Sequence, residues 1–301
     1  MKKVMFTLTL CLIVLSACSP VDFSSLPPVF ETKIDPNAWV LIPAGEFLQG
    51  QFDKETVIDY DYEIMVTPVT NEQYAAFLNA ALAEGAISIN GTQVEGFYPG
   101  DPFNNGRHEV EIKAGNYIYI PIEDDFLRLS FDGKSFVAIP EWKDHPATMV
   151  SWFGAKGYCE YNNWRLPSEL EWEKAARGTD GRAFPWGNEI ARNNANFTSS
   201  RDPFEDMSTF GSRTSPVGFY NGSSYDGYLT QASTSPYGVY DMAGNVWQWT
   251  ANVYPLQHYR YLRGGSKDVY ENNLRVWVRN SAIPTYTSPG FGFRCVRQIG
   301  D

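Results

Sequence analysis

The sequence YGVYDMAGNVWQW occupies residues 237–249 and sets the character of the C-terminal half of the chain. It places glycine and asparagine beside tryptophan and tyrosine. From Gly178 onward the chain stays rich in Gly, Asn, Ser and Pro, without a long helical pattern. Such a composition predicts loops and short strands. Because this irregular backbone supplies little order of its own, the region needs another source of order, such as bound metal ions or a disulfide.

Three helices are predicted before this region. Thr70 with Gln73, and Ser168 with Glu171, have the spacing of capping boxes, which predicts helices that begin at residues 71 and 169. Between them, residues 151–164 carry apolar side chains at helical spacing. Strands are predicted at residues 39–45, 57–66, 117–120, 127–131 and 135–139, the last two joined by a hairpin turn at Asp132-Gly133.

The chain is acidic, with 35 Asp and Glu against 24 Lys and Arg and a formal net charge of −11. We therefore expect no nucleic-acid partner, since phosphates repel a negative protein. The same charge is compatible with bound divalent cations. Aromatic residues make up 15% of the chain, which favours a globular fold with an aromatic core. The length fits one large domain or two small ones.

The N-terminus is typical of an exported lipoprotein. Residues 1–17 combine a positively charged start, an apolar run too short to span a bilayer, and small residues before Cys18. Leu15-Ser16-Ala17-Cys18 resembles the bacterial lipobox, so we expect lipidation of Cys18, with residues 18–37 as a flexible tether. The alternative is an ordinary secretory signal with a chance cysteine. Because residue 19 is Ser rather than Asp, we expect the outer membrane, on its periplasmic or surface face.

The cysteine count favours one disulfide. Cys11 leaves with the signal peptide and Cys18 is predicted to carry lipid, so Cys159 and Cys295 remain. In an oxidising compartment, two remaining thiols are more often joined than part of a site. The alternative is a pair of free, buried thiols.

Eight motifs follow one another in an order that resembles the formylglycine-generating enzyme family, also called the sulfatase-modifying factors. They are PAGEF (43–47), VTPVTNEQY (66–74), HPATMVSW (145–152), RLPSELEWE (165–173), FPWG (184–187), YGVYDMAGNVWQW (237–249), LRGGS (262–266) and GFRC (292–295). The resemblance covers residues 38–298, with an insertion near residues 85–141. It implies an α+β fold: a single large domain with little regular secondary structure and a C-type-lectin-like core.

Active members of this family oxidise a sulfatase cysteine to formylglycine, using O₂ and a copper ion held by two thiolates. Counted from Gly264-Gly265-Ser266, the two cysteine positions fall on Val269 and Leu274, and residues 267–294 contain no cysteine. Soft Cu(I) needs such thiolates. The resemblance therefore implies a member without copper, without catalytic residues and without the generating activity. The alternative is an oxidoreductase that uses an unrecognised site.

Two further groups of relatives keep the scaffold for other work. Iron enzymes need a His-rich site, but His108, His145 and His258 occur in unrelated contexts, so no iron site is expected. Binding proteins present the stretch between the GGS and GFR motifs. Here that stretch predicts a ligand-binding face of Tyr270, Asn272, Asn273, Arg275, Trp277, Arg279 and Tyr286. A strand with Leu274, Val276 and Val278 on its buried face is the plainer interpretation, and both can hold.

The resemblance also implies a disulfide and two calcium sites. Cys159 and Cys295 hold the positions of the family's disulfide. The residues that map onto the first site, the first calcium set, are Asn196, the Phe197 carbonyl, Asp206 and the Ser208 carbonyl, with Asp202 as an alternative to Asp206. The second calcium set is Asp241, the Gly244 and Val246 carbonyls, and Gln248, where the family usually has Asn as the first ligand and Glu as the last. Oxygen donors suit a hard cation. The alternative is that Asp241 and Gln248 only cap the turn around Gly244.

These observations predict a lipid-anchored, calcium-stabilised protein that binds a ligand or another protein at the cell envelope. The alternative to a free receptor is a structural part of an envelope machine for gliding or secretion, since such machines include lipoproteins that resemble this family.

Overall fold

The computed structural model describes residues 26–101, 112–205, 213–254 and 258–299. These residues form the helices α1 (Asn71–Ala83), α2 (Trp152–Tyr161) and α3 (Glu169–Arg177). Short 3-10 helices cover Pro140–Trp142, Arg192–Asn194 and Glu271–Leu274. The strands are β1 (Trp39–Ile42), β2 (Gly45–Gln49), β3 (Lys54–Ile58), β4 (Tyr62–Met65), β5 (Ile87–Asn90), β6 (Gln93–Tyr98), β7 (Gly115–Pro121), β8 (Leu129–Phe131), β9 (Phe136–Ala138), β10 (Ser224–Tyr225), β11 (Tyr228–Leu229), β12 (Trp247–Tyr254), β13 (Tyr259–Arg263), β14 (Arg279–Ala282), β15 (Phe291–Gly292) and β16 (Val296–Gln298).

The strands form several small sheets. β1 and β16 both pair antiparallel with β4, so the first and last of these strands lie in one sheet. A four-stranded sheet has the order β14-β13-β12-β15, antiparallel except for the β12–β15 pair. β5, β6 and β7 form a third sheet, and β2–β3, β8–β9 and β10–β11 are two-stranded. Because one sheet joins both ends of the described chain, the molecule is a single α+β domain, as predicted.

Reciprocal hydrogen bonds at the starts of α1 and α3 confirm the predicted capping boxes. Thr70 Oγ1 accepts a hydrogen bond from Gln73 N at 3.2 Å, and Gln73 Oε1 accepts one from Thr70 N at 2.9 Å. Ser168 and Glu171 form the same pair at α3. Each pair satisfies two amide groups that a helix start otherwise leaves unbonded.

Other predicted elements differ at their ends. α2 ends at Tyr161 rather than near residue 164, because Asn163 turns the chain with a φ of +60°. The strand predicted at residues 57–66 is two strands, β3 and β4, separated by residues 59–61. The Asp132-Gly133 hairpin is confirmed, since β8 and β9 pair on either side of it.

Two large apolar clusters form the core. The first packs α1 and α2 against the third sheet and includes Tyr74 and Trp152. The second lies under α3 and includes Trp172. The insertion predicted near residues 85–141 supplies fully buried Val94 and Ile120 to the first cluster, so it belongs to the same domain.

Part of the predicted tether is packed against the domain. Phe30 lies 5.3–6.0 Å, between ring centroids, from the rings of Phe204, Phe219 and Tyr225. The Thr32 carbonyl accepts a hydrogen bond from a side-chain amide of the domain. Residues 1–17 and Cys18 lie outside the described residues. No helix among the described residues is long and apolar enough to cross a bilayer.

Candidate functional site

The first calcium set centres on a buried amide. Asn196 Nδ2 donates a hydrogen bond to the Arg213 carbonyl at 2.8 Å, but within the described part of the chain no group donates to Asn196 Oδ1. A buried polar atom left unbonded costs on the order of 1–3 kcal/mol. Among the same residues the Phe197 carbonyl accepts a backbone bond from Ser200 N, and a carbonyl oxygen has a second lone pair. These oxygens fit a hard cation. Asp206 and Ser208, the other two members of the set, lie outside the described residues.

Asp202, the alternative ligand, is already engaged. Its carboxylate oxygens accept four hydrogen bonds, from Ser200 Oγ, Tyr220 OH, Phe204 N and Glu205 N. Asp202 therefore caps the turn that follows it and keeps no oxygen without a donor.

The two side chains of the second calcium set, Asp241 and Gln248, are hydrogen-bonded within the protein. Asp241 is buried with a φ of +54°, and its Oδ2 accepts a bond from Gly218 N at 2.7 Å. Burial raises the pKa of Asp241 to about 6. Gln248 Oε1 accepts bonds from Trp172 Nε1 at 2.9 Å and Arg294 Nε at 2.8 Å. Gln248 Nε2 donates to the Asp241 carbonyl at 2.6 Å.

Gly244 brings the two loops together. The Asn196 carbonyl accepts a hydrogen bond from Asn245 N at 2.8 Å, and a Cβ on Gly244 would lie 2.4 Å from the same oxygen. With a φ of +79° as well, this position requires glycine. The first and second calcium sets are therefore parts of one structural unit.

The two positions matched to copper-binding cysteines are apolar and lie in one cluster. Leu274 is fully buried with Phe184 and Phe197, and half-buried Val269 packs against the same cluster. Neither side chain has a lone pair to give a metal. Cys159 and Cys295 are joined in a disulfide with a Cα–Cα distance of 5.7 Å, which confirms the predicted pairing.

The histidines weighed for an iron site lie in separate surroundings. His145 Nδ1 is 2.9 Å from Thr214 Oγ1, and burial lowers the pKa of His145 to about 3. His258 Nδ1 is 2.8 Å from Asp101 Oδ2. His108 lies outside the described residues. Within the described ranges, no three His, Cys, Asp or Glu side chains are grouped to hold a metal ion.

The predicted binding face is a series of loops. The strand predicted around Leu274, Val276 and Val278 is wrong. Residues 271–274 form a 3-10 turn. Val278 N donates a hydrogen bond to the Arg275 carbonyl, so residues 275–278 form a turn rather than pairing in a sheet. Leu274 and Val276 are buried, as expected, whereas Val278 is only half-buried.

The seven residues of that face separate into groups. Tyr270 is 61% exposed, and Asn272 and Asn273 beside it are also exposed. Half-buried Trp277 lies over the Arg177 guanidinium, 5.4 Å from centroid to Cζ. Arg279 is exposed on β14, and Arg275 is half-buried. Tyr286 is 50% exposed and packs against Phe291.

A network of buried charges lies beneath Trp277. Arg263, with no exposed surface, donates to Glu169 Oε1 at 3.0 Å and to Glu173 Oε2 at 2.6 Å. Arg177 donates to the other Glu173 oxygen at 3.1 Å. Arg263 also donates to the Val276 carbonyl at 2.7 Å, which ties the binding-face loops to α3.

Sequence analysis missed a cavity of about 370 Å³ between the insertion, α2 and the β12–β13 hairpin. Asp101 lies in its wall and accepts hydrogen bonds from Tyr98 OH at 2.5 Å and Arg260 Nη2 at 2.8 Å. The Arg260 guanidinium lies 4.1 Å from the centroid of Trp152. Trp152 and Arg260 are far in sequence from Tyr98 and Asp101, and the four share no motif, so only the folded chain brings them together. Apolar walls with a few polar groups are typical of small-ligand sites.

Comparison with known proteins decides the family. The model of the sulfatase-modifying factor enzyme 1-like domain matches residues 25–299. The chain belongs to this family. It is 36% identical over 268 residues to the bovine "inactive C-alpha-formylglycine-generating enzyme 2", covering 86% of this chain and 83% of that protein. It is 30% identical to the formylglycine-generating enzyme of Streptomyces coelicolor, covering 85% and 88%.

A solved structure supports the fold. PvdO from Pseudomonas aeruginosa aligns with 91% of this chain and 99% of its own length, with a TM-score of 0.54 and 21% identity. The predicted C-type-lectin-like family fold is therefore confirmed.

Proposed function

We propose that this family member is non-catalytic and binds a ligand or another protein at the cell envelope, where lipid on Cys18 anchors it. The observation that carries the proposal is the apolar cluster around Val269 and Leu274, which leaves no thiolate for copper. The remaining cysteines of the domain, Cys159 and Cys295, are joined to each other. The bovine relative described as inactive supports the same conclusion.

The C-terminal loops are the proposed binding face. Tyr270, Asn272 and Asn273 are exposed, and side chains of these types suit adaptable contacts. Trp277, on a loop, lies over Arg177 of α3, and Arg279, at the start of β14, forms an ion pair with Glu169 of α3 at 3.1 Å. A rigid base beneath exposed aromatic and amide side chains reduces the entropy lost on binding.

The test of the proposal is formylglycine formation. The purified protein, supplied with copper and O₂, is expected to leave the cysteine of a sulfatase-type peptide unchanged by mass spectrometry. The Streptomyces coelicolor enzyme serves as the positive control. Formylglycine produced by this protein, and absent without it, would instead support an oxidoreductase with an unrecognised site.

The anchor and the calcium have separate tests. Cys18→Ala is expected to release the mature protein from the membrane fraction, and retention would contradict the lipobox interpretation. Calcium bound at the first calcium set would satisfy Asn196 Oδ1. A chelator should then lower the melting temperature and added calcium should restore it. Co-purification in a stoichiometric complex from detergent-solubilised membranes would favour a machine component over a free receptor.

A further inference from the structure

We infer that the second calcium set does not bind calcium in this chain, because the Gln248 amide turns an N–H group, rather than an oxygen, toward the Asp241 loop. The inference concerns only this set and stands apart from the proposed binding function. It predicts that the protein takes up at most one calcium ion through the two sets that the family implies.

The orientation of the Gln248 amide is fixed by its neighbours. Trp172 Nε1 and Arg294 Nε can only donate hydrogen bonds, and both point at the same Gln248 atom, at 2.9 and 2.8 Å. That atom must therefore be the amide oxygen, because a flipped amide would set donor against donor. Both lone pairs of Oε1 are used.

The other end of the amide faces the loop as a donor. Gln248 Nε2 donates to the Asp241 carbonyl at 2.6 Å. The set therefore offers an N–H group to the loop where a glutamate would offer a second carboxylate oxygen. A hard cation needs oxygen ligands, so the substitution removes one ligand from the set.

Arg294 brings a positive charge to the same loop. This guanidinium has no exposed surface, and it donates to the Tyr240 carbonyl at 2.7 Å and the Asp241 carbonyl at 3.3 Å. It also donates to the Met65 and Val66 carbonyls at 2.9 and 3.2 Å. The Asp241 carbonyl thus accepts from both Arg294 and Gln248.

The first calcium set provides the contrast within the same molecule. Among the described residues none donates to the buried Asn196 Oδ1, whereas Gln248 Oε1, the amide oxygen of the second set, accepts two hydrogen bonds. The amide of the first set therefore keeps an oxygen for a cation, and the amide of the second set does not.

Calcium titration of the chelator-treated, full mature protein tests the inference, with isothermal calorimetry and elemental analysis giving the number of ions bound. Asn196→Ala and Asp241→Gly remove the side-chain oxygens of one residue from each set, glycine suits the positive φ of residue 241, and circular dichroism checks that both variants fold. We expect one ion in the wild type, lost in Asn196→Ala and kept in Asp241→Gly.

The other outcomes are distinct. Two ions in the wild type, or one that is lost in Asp241→Gly but kept in Asn196→Ala, would overturn the inference. No bound ion would agree with the inference for the second set while contradicting the calcium proposed at the first. The formylglycine test is unaffected by either result, so failure of the binding proposal would be seen separately.

Discussion

α2 and α3 are neighbours in sequence but are held in the domain by different forces. α2 buries Trp152, Phe153 and Tyr158 in the aromatic core, and Cys159 ties it to the C-terminal strand region. The nine residues of α3 include five buried charged ones: Glu169, Glu171, Glu173, Lys174 and Arg177. α2 is stabilised by apolar burial and a covalent link, whereas α3 depends on each buried charge finding a partner.

Breaking the charge network should produce the largest effect. Glu173→Ala removes the carboxylate that both Arg263 and Arg177 contact, leaving buried cations short of a counter-charge. We expect the free energy of unfolding to fall by about 3–5 kcal/mol in denaturant titrations. Glu160→Gln on α2 is the control, because its pair with Lys156 is exposed and should contribute about 1 kcal/mol or less. Similar losses in the two variants would contradict the difference drawn between the helices.

Removing the disulfide should have the next largest effect. Cys159 and Cys295 are 136 residues apart, so the bond excludes many unfolded conformations. The double variant Cys159→Ala/Cys295→Ala is expected to lose about 2–4 kcal/mol in denaturant unfolding. Reductant should lower the denaturant midpoint of wild-type unfolding and leave that of the variant unchanged. If reductant leaves the wild-type midpoint unchanged as well, the disulfide does not contribute to stability.

Lowering the pH should reduce the stability of the folded protein through the buried His145. Burial lowers its pKa to about 3, so below pH 6.5 the unfolded chain binds a proton that the folded chain does not. Its contribution to stability is therefore lost as pH falls from 6.5 towards 3, by about 1.4 kcal/mol per unit at most. Compared with His145→Gln, the stability advantage of the wild type should shrink across this range. A constant difference between the two proteins would contradict a neutral, buried histidine.

The smallest effect is expected at the edge of the α3 network. Trp277→Leu removes the ring that lies over Arg177 and should cost about 1 kcal/mol in thermal or denaturant unfolding. Tyr270→Ala, at a 61% exposed position of the same binding face, should change stability by about 0.5 kcal/mol or less. A larger loss of stability in Tyr270→Ala than in Trp277→Leu would show that Tyr270, rather than Trp277, holds the binding face to the domain.

The two helices also show what sequence can predict. α2 follows from its apolar spacing, because the core it faces is apolar. The Ser168–Glu171 capping box predicts the start of α3. Its many charged residues, however, are typical of a solvent-exposed helix. Its burial could not be predicted because partners such as Arg263 come about ninety residues later in the chain. The apolar character of Val269 and Leu274 was visible in sequence. The two hydrogen bonds that occupy Gln248 Oε1 could not be predicted from the sequence, because their donors, Trp172 and Arg294, belong to two other motifs.

If lipid on Cys18 anchors the protein as proposed, the packed segment around Phe30 limits how far the domain can lie from the bilayer. With lipid on Cys18, a free tether to residue 37 would let the domain move about 70 Å from the membrane at full extension. Pro27 is buried and Phe30 packs among aromatic rings, so the upper limit set by the proposed anchor falls to the length of chain from Cys18 to Pro27, about 30 Å at full extension. With that anchor, the domain would meet partners in or next to its own membrane. Phe30→Ala should then increase this limit and leave every residue of the binding face unchanged.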